Sequence, residues 1–347
     1  MKKQFFLMVV ALAFLFTSCG NKNSQKISGA GATFPAPFYK VVFQNYNQAT
    51  SNTVTYGAIG SGGGYRSLKD QTVDFGASDV FLKEEEMSQL NGKIIHIPAV
   101  LGAVVLSYNL DGVTDLNLTA EVVSDIFLGK ITNWNDNKIK SLNPNATLPE
   151  QTITAVFRSD GSGTTAVFSE YMAKVNDAWK NIIGVGKALK FPVGVSAKGN
   201  AGVAGLIAET KGAIGYIGSE YALALNMPMA AMQNQSGNFI KATIKSISAS
   251  ANVEMPEDTR VYITNSENPE AYPISTFTWL LIYKEQAYNN RSLEEAKGLK
   301  ELMQFMLSKK AQSLAETVNY APLSGMALEK AQKALEQMTY KGEPLKD

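Results

Sequence analysis

The chain has 347 residues, 45% of them hydrophobic and 18% charged, with 32 Lys and Arg against 31 Asp and Glu for a formal net charge of +1. That balance provides no global basic field, which argues against nucleic acid as the partner and leaves any anion to be caught by local dipoles and one or two placed charges. The length exceeds what one hydrophobic core usually serves, so two domains are expected, and the single cysteine rules out an internal disulfide.

Residues 1–18 read as a targeting segment. Lys2 and Lys3 precede an apolar run over 5–16 that is too short to span a bilayer, and Thr17 and Ser18 stand ahead of Cys19. The small residues before Cys19 resemble a bacterial lipoprotein signal, although Phe16 sits where a smaller aliphatic residue is more usual. This implies cleavage there, a lipidated Cys19 and a periplasmic protein anchored to a membrane; an ordinary signal peptide with an incidental cysteine is the alternative. Loss of Lys2 and Lys3 takes the formal charge from +1 to −1. Residues 19–26 then comprise the lipidated cysteine and a flexible tether rich in Asn, Lys, Ser and Gln.

Beyond the tether, short β-branched runs alternate with helical stretches. Strands are predicted over 26–29, 53–56, 75–78, 94–98, 103–108, 153–157, 214–217 and 277–283. Helices are predicted over 36–49, 62–70, 119–128, 164–175, 201–209, 292–306 and 327–337. This alternation gives α/β domains with largely parallel sheets, whose ligand sites lie at the carboxyl ends of the strands. The chain also reads as folded back between domains, because 99–107 is a long apolar run without a strong turn signal and a second such passage follows Tyr272, Pro273 and Ile274. With both as crossings, residues 27–101 and 275–347 form lobe I and residues 102–274 form lobe II. A ligand held between the lobes would pull them shut.

Three segments each spell a backbone loop suited to a small anion: Gly-Ala-Thr-Phe-Pro-Ala-Pro at 31–37, Gly-Ser-Gly-Gly-Gly at 60–64 and Arg-Ser-Asp-Gly-Ser-Gly-Thr at 158–164. Each places a hydroxyl residue among glycines or before a predicted helix, where unpaired N–H groups and the positive helix end attract negative charge. In the first, the N–H groups of Thr33 and Phe34 can face a ligand and the Thr33 hydroxyl adds a donor; a plain N-cap is the other role open to Thr33. In the second, glycine density around Ser61 lets the chain close on an anion, although such a run is also an ordinary loop and lacks the Lys-Ser/Thr ending of a P-loop. In the third, Arg158 offers a planar fork that Asp160 can orient, with Ser162, Gly163 and Thr164 supplying hydroxyl and backbone donors. A surface ion pair before a capped helix is the competing reading of that segment.

Asp79 ends the run Asp-Phe-Gly-Ala-Ser-Asp at 74–79. A carboxylate beside an anion is repulsive unless the anion carries a proton, which monobasic or dibasic phosphate does and sulfate at neutral pH does not. A buried carboxylate left unpaired costs ~1–3 kcal/mol or more, enough for discrimination of roughly 100-fold. An N-cap for a helix over 84–90 is the alternative role of Asp79.

These segments carry a resemblance. Gly29-Ala-Gly-Ala-Thr-Phe-Pro-Ala-Pro37, Ile59-Gly-Ser-Gly-Gly-Gly64, Val73-Asp-Phe-Gly-Ala-Ser-Asp79 and Asp160-Gly-Ser-Gly-Thr164 resemble the motifs of the phosphate-binding proteins of bacterial phosphate ABC transporters. Ile126-Phe-Leu-Gly-Lys-Ile-Thr-Asn-Trp134, Gly212-Ala-Ile-Gly-Tyr216 and Tyr272-Pro-Ile274 extend the likeness over nearly the whole mature chain, with the part after Gly325 resembling the family less closely. The resemblance implies a two-lobed periplasmic-binding-protein fold of type II, each lobe a mostly parallel sheet flanked by helices. It implies inorganic phosphate in the interlobe cleft, permease subunits as partners, a monomer, no cofactor and no catalysis. Carried over by motif, the phosphate contacts are Thr33, Phe34, Ser61, Asp79, Arg158, Ser162, Gly163 and Thr164, with Asp160 as partner of the arginine. Gly62 stands where members often have a second serine; that is not a ligand position, so little effect on selectivity is expected.

His96, the only histidine, lies in the apolar run 94–97 and reads as a packed residue rather than a metal ligand. Trp134, Trp179 and Trp279 read as core or interlobe residues. Two rivals to phosphate capture remain: a receptor for another tetrahedral oxyanion such as sulfate or molybdate, and a secreted phosphatase using the same cradle, for which no nucleophile and base pair with a recognisable motif is present.

Overall fold

The computed structural model describes residues 24–346, so the targeting segment and the Cys19 lipidation site lie outside the described residues. The chain starts as a β-α-β-α-β run: β1 (Lys26–Gly31), α1 (Ala36–Ala49), β2 (Thr53–Ala58), α2 (Ser61–Lys69) and β3 (Phe75–Ser78), with β1 parallel to both β2 and β3. It continues through β4 (Ile94–Tyr108), α3 (Ala120–Phe127), β5 (Thr154–Arg158), α4 (Gly163–Val175), β6 (Val195–Ala197), α5 (Gly199–Glu209) and β7 (Ala213–Gly218). It then returns through β8 (Ser275–Tyr283), α6 (Leu293–Met306) and α7 (Gly325–Leu335). The strands order as β2-β1-β3-β8-β4-β7-β5-β6.

One strand carries the architecture. The segment of β4 from Ile94 to Ala103 pairs antiparallel with β8, and the remaining Val104 to Tyr108 pairs antiparallel with β7, so a single strand leaves one sheet and enters the next. Two strands were expected here, over 94–98 and 103–108, and the structure corrects that to one. Pro98 has no N–H for the ladder, and the register shift opposite Thr278 and Trp279 takes up the extra residue, so pairing resumes instead of ending. Every residue of β4 after Ile94 is buried, as an apolar run covered on both faces requires. Beside it, the Ile274 carbonyl accepts the N–H of Val104, which brings the second chain passage to the same level as the first. The result is a two-lobed fold, each lobe a sheet with parallel strands outside and antiparallel crossing strands inside.

The helices cover these sheets through one apolar face. On α1, Phe38, Tyr39, Val42, Phe43 and Tyr46 are buried at the three- and four-residue spacing of a single stripe. Helix α2 lies so close to the sheet that a Cβ at Gly64 would fall 2.5 Å from the Gly31 Cα and 2.7 Å from the Ala30 carbonyl oxygen. On α5, by contrast, a Cβ at Gly205 would have nothing within 4 Å.

Those two helical glycines predict opposite outcomes. In urea unfolding of the ligand-free protein, Gly64→Ala should lose about 1–3 kcal/mol through overpacking, whereas Gly205→Ala should gain about 0.5–1 kcal/mol through helix propensity. A Gly64→Ala protein as stable as the parent would refute the close packing of α2.

Candidate anion-binding site

The three anion loops fall at the carboxyl ends of β1, β2 and β5, each leading into a helix. Sheet pairing puts the first two side by side on the first sheet and the third on the second. The cleft between the sheets brings them together. The Gly62 N–H donates to the Gly161 carbonyl at 2.8 Å, and a Cβ at Gly62 would lie 3.1 Å from the Gly161 Cα. Gly60, at φ +85°, leaves room for Asp160, whose Oδ2 would be 2.5 Å from a Cβ there. A Cβ at Gly163 would meet the Ser61 Oγ at 2.3 Å and the Asp79 Oδ2 at 2.6 Å, so only glycine lets α4 start against the opposite sheet. Gly62, read from sequence as not a ligand position, is a contact point between the two loops.

The cationic side of the site is Arg158, 5% exposed at the end of β5. Asp160 grips its fork from one edge, with Oδ1 accepting from Nε at 2.7 Å and Oδ2 from Nη2 at 2.6 Å. Asp160 also accepts the Gly199 N–H at 3.0 Å. Burial opposes ionisation of Asp160, but the Arg158 guanidinium and the Gly199 amide outweigh it and hold the carboxyl below its usual range. The pair is thus interior, and not on the surface. The other edge of the fork reaches the Thr164 Oγ1 from Nη1 at 3.4 Å. Ser162 caps α4, its Oγ accepting the Thr165 N–H at 3.0 Å, while its own N–H donates to the Lys187 carbonyl at 2.8 Å.

The acidic side is Asp79, 1% exposed just past β3. The Thr278 hydroxyl donates to its Oδ1 at 3.2 Å, and its own N–H donates to the Ser61 Oγ at 3.3 Å. Burial pushes its carboxyl up to about 7, with Arg158 and Thr278 pulling the other way. Asp79 does not cap the following helix, which spans Glu84–Ser88 behind Lys83. Thr33 is likewise not an N-cap, since Pro35 holds that position without a side-chain bond. The Thr33 Oγ1 instead accepts from the Asn200 side chain at 2.9 Å, while the Thr33 and Phe34 carbonyls accept from the hydroxyls of Tyr221 at 2.6 Å and Tyr320 at 2.5 Å.

Asn200 escaped the reading of the sequence. It sits in a fourth strand-to-helix junction, between β6 and the body of α5, and is wholly buried. Further contacts close the rim. Lys187 reaches Glu86 with Nζ 2.5 Å from Oε1 and stands 5.7 Å from the centre of the Tyr65 ring, and Arg260 pairs with Glu84 at 2.8 Å. A second buried carboxyl, Glu220, is raised well above its ordinary range by burial.

The remaining singled-out residues are structural. His96 accepts the Leu82 N–H on Nε2 at 3.0 Å, and burial, helped by the Arg260 charge, pushes it down to about 3, so it is neutral at physiological pH. Trp134, Trp179 and Trp279 are buried with their indole N–H groups on the carbonyls of Gly212, Gly184 and Thr259.

Two sheets that share the crossing strand β4 and meet over a polar, buried cleft define a solute-binding protein. Residues 17–310 match the PBP superfamily domain. The chain is 37% identical over 329 residues to the phosphate-binding protein PstS of Pasteurella multocida, covering 92% of this chain and 93% of that one. It is 41% identical over 273 residues to the PstS of Xylella fastidiosa strain 9a5c, covering 77% and 74%. Among solved structures, PfluDING, a high-affinity periplasmic phosphate-binding protein with phosphate bound, superposes with a TM-score of 0.72 at 21% identity over 88% of this chain and 93% of that one. The chain belongs to the PBP superfamily and, within it, to the family of PstS phosphate-binding proteins.

The raised carboxyl of Asp79 has a measurable sign. Folded Asp79 keeps its proton up to about pH 7, while the unfolded chain releases it near the ordinary 3.8. Between those values the folded state binds more protons at this residue, so, although carboxyls such as Asp160 act oppositely, Asp79 should take stability from the ligand-free protein as pH rises from about 4 to about 7. Glu220 acts in the same direction. Asp79→Asn should remove that falling component from thermal unfolding measured across the range; an unchanged pH profile would mean that Asp79 titrates normally.

Proposed function

We propose that this protein captures inorganic phosphate outside the cytoplasmic membrane and delivers it to an ABC importer, without catalysis. The observation that carries the reading is the meeting of Asp79 and Arg158 in one enclosed cleft, a buried acceptor and a buried cation contributed by opposite sheets. A tetrahedral anion that still holds a proton satisfies both. Arg158 and the donors of Thr33, Phe34, Ser61, Ser162, Gly163 and Thr164 take its bare oxygens, Asp79 takes its proton, and Asp160 holds the guanidinium in plane. Sulfate, with no proton at neutral pH, leaves the ionised form of Asp79 facing an anion.

In this reading lobe I comprises residues 27–101 and 275–347 and lobe II residues 102–274, with hinge closure around the anion. The antiparallel pairing that changes partner between Ala103 and Val104 supports that division. The Lys187–Glu86 and Arg260–Glu84 pairs then act as closure contacts at the mouth. The protein is a periplasmic monomer anchored through a lipidated Cys19, and it presents the closed rim of both lobes to the permease subunits.

The test is calorimetric titration of a chain starting at residue 20, unfolded and refolded to strip bound anion. One-to-one phosphate binding is expected, with sulfate weaker by roughly 100-fold or more, about 1.4 kcal/mol per factor of ten. Asp79→Asn should narrow that gap. Equal binding of both anions by the unmodified protein would defeat the role given to Asp79, and no binding of either would defeat the receptor.

A further inference from the structure

We infer that Asn200 is a specificity-determining positioning residue that turns the hydroxyls of Thr33 and Thr164 into obligate donors toward the bound anion. The inference rests on the phosphate reading of the cleft. A threonine hydroxyl has one proton to give and two lone pairs with which to accept. The Asn200 side-chain Nδ2 donates to the Thr33 Oγ1 at 2.9 Å and to the Thr164 Oγ1 at 3.0 Å, using both of its protons. The second lone pair of Thr33 is taken by the Asn200 backbone N–H at 3.2 Å, and that of Thr164 by Arg158 Nη1 at 3.4 Å. Both hydroxyls are then full as acceptors. Each can only donate: the Thr33 proton is left for a bare anion oxygen in the cleft, and that of Thr164, which also bonds the Asp79 carboxyl, can turn to the same oxygen.

The orientation of the amide follows from the backbone. The Gly218 N–H donates to the Asn200 Oδ1 at 3.0 Å, and since an N–H cannot accept, the opposite atom must be the nitrogen facing the threonines. Thr33 belongs to the first sheet's loop and Asn200 and Thr164 to the second's, so the bond to Thr33 exists only with the cleft closed. Contact between the two sheets therefore sets the polarity of the Thr33 hydroxyl. Asp79 accepts a proton from the ligand while Thr33 and Thr164 refuse one, which restricts how a protonated tetrahedral anion lies in the cleft.

Calorimetric titration of the mature chain with inorganic phosphate tests this on the unmodified protein, Asn200→Ala, Thr164→Val and the double variant, with thermal unfolding of each ligand-free form. Asn200→Ala should bind about tenfold to a hundredfold more weakly, and this loss should be at least about threefold smaller in the Thr164→Val background, because part of the effect travels through that hydroxyl. An equal loss in both backgrounds marks a packing effect and overturns the assignment. Asn200→Asp keeps the shape and the Gly218 bond, and guards against misfolding of the alanine variant. Its carboxylate accepts the two hydroxyl protons, so it should bind at least as weakly as Asn200→Ala; binding like the unmodified protein overturns the assignment. An unmodified protein silent toward phosphate overturns the phosphate reading itself, whereas tight binding indifferent to Asn200→Ala overturns this inference alone.

Discussion

The hydrogen bond from the Gly62 N–H to the Gly161 carbonyl, backbone to backbone across the cleft, sets the separation on which the rest of the site depends. Two loops can approach this closely only if neither carries side chains at the contact, and glycines at 60, 62, 161 and 163 meet that condition. Their reward is positional. Ser61 and Asp79 from one sheet come within reach of Gly163 on the other, in surroundings closed to solvent. In so enclosed a volume hydrogen bonds gain strength and mismatched ones become costly. Selectivity then follows from donor and acceptor polarity more than from net charge, as suits a chain whose formal charge is only +1.

Buried ions need partners, and this site supplies them locally. Asp160 neutralises Arg158 from behind and is itself steadied by the amide of Gly199, so the guanidinium keeps a fixed plane and turns its other edge toward Thr164. Asp79 has no ion pair among the described residues, and burial raises its carboxyl against the more distant pull of Arg158. One carboxylate is held ionised and the other is inclined to keep a proton, by the same low-dielectric surroundings acting on different partners.

Much of this was legible because it is written in local chemistry. The long amphipathic helix over Ala36–Ala49 announced itself by spacing, and β3 over Phe75–Ser78 by a short apolar run between turns. The anion loops were legible because glycine and hydroxyl residues cluster there with few competing explanations. Asn200 was not, because β6 is only three residues long and the turn after it, Lys198 and Gly199, carries no hydroxyl residue. Its one signal was Gly199, at φ +73°, directly before an expected helix, a pattern shared with the loops that were read correctly. The continuity of β4 was hidden for another reason. Pro98 and Gly102 look like breakers in isolation, and the bulge that absorbs the proline depends on a partner strand some 180 residues away.

That distant partner also orders the life of the chain before it works. The strands of the second sheet all lie within residues 104–218, whereas the first sheet lacks its middle member until β8 at Ser275–Tyr283 is available. A chain emerging from its amino end can therefore complete the second sheet while β3 and the first part of β4 still present bare edges. Any product ending short of β8 leaves those edges open to pairing with another copy, which makes premature truncation an aggregation hazard and not merely a loss of binding.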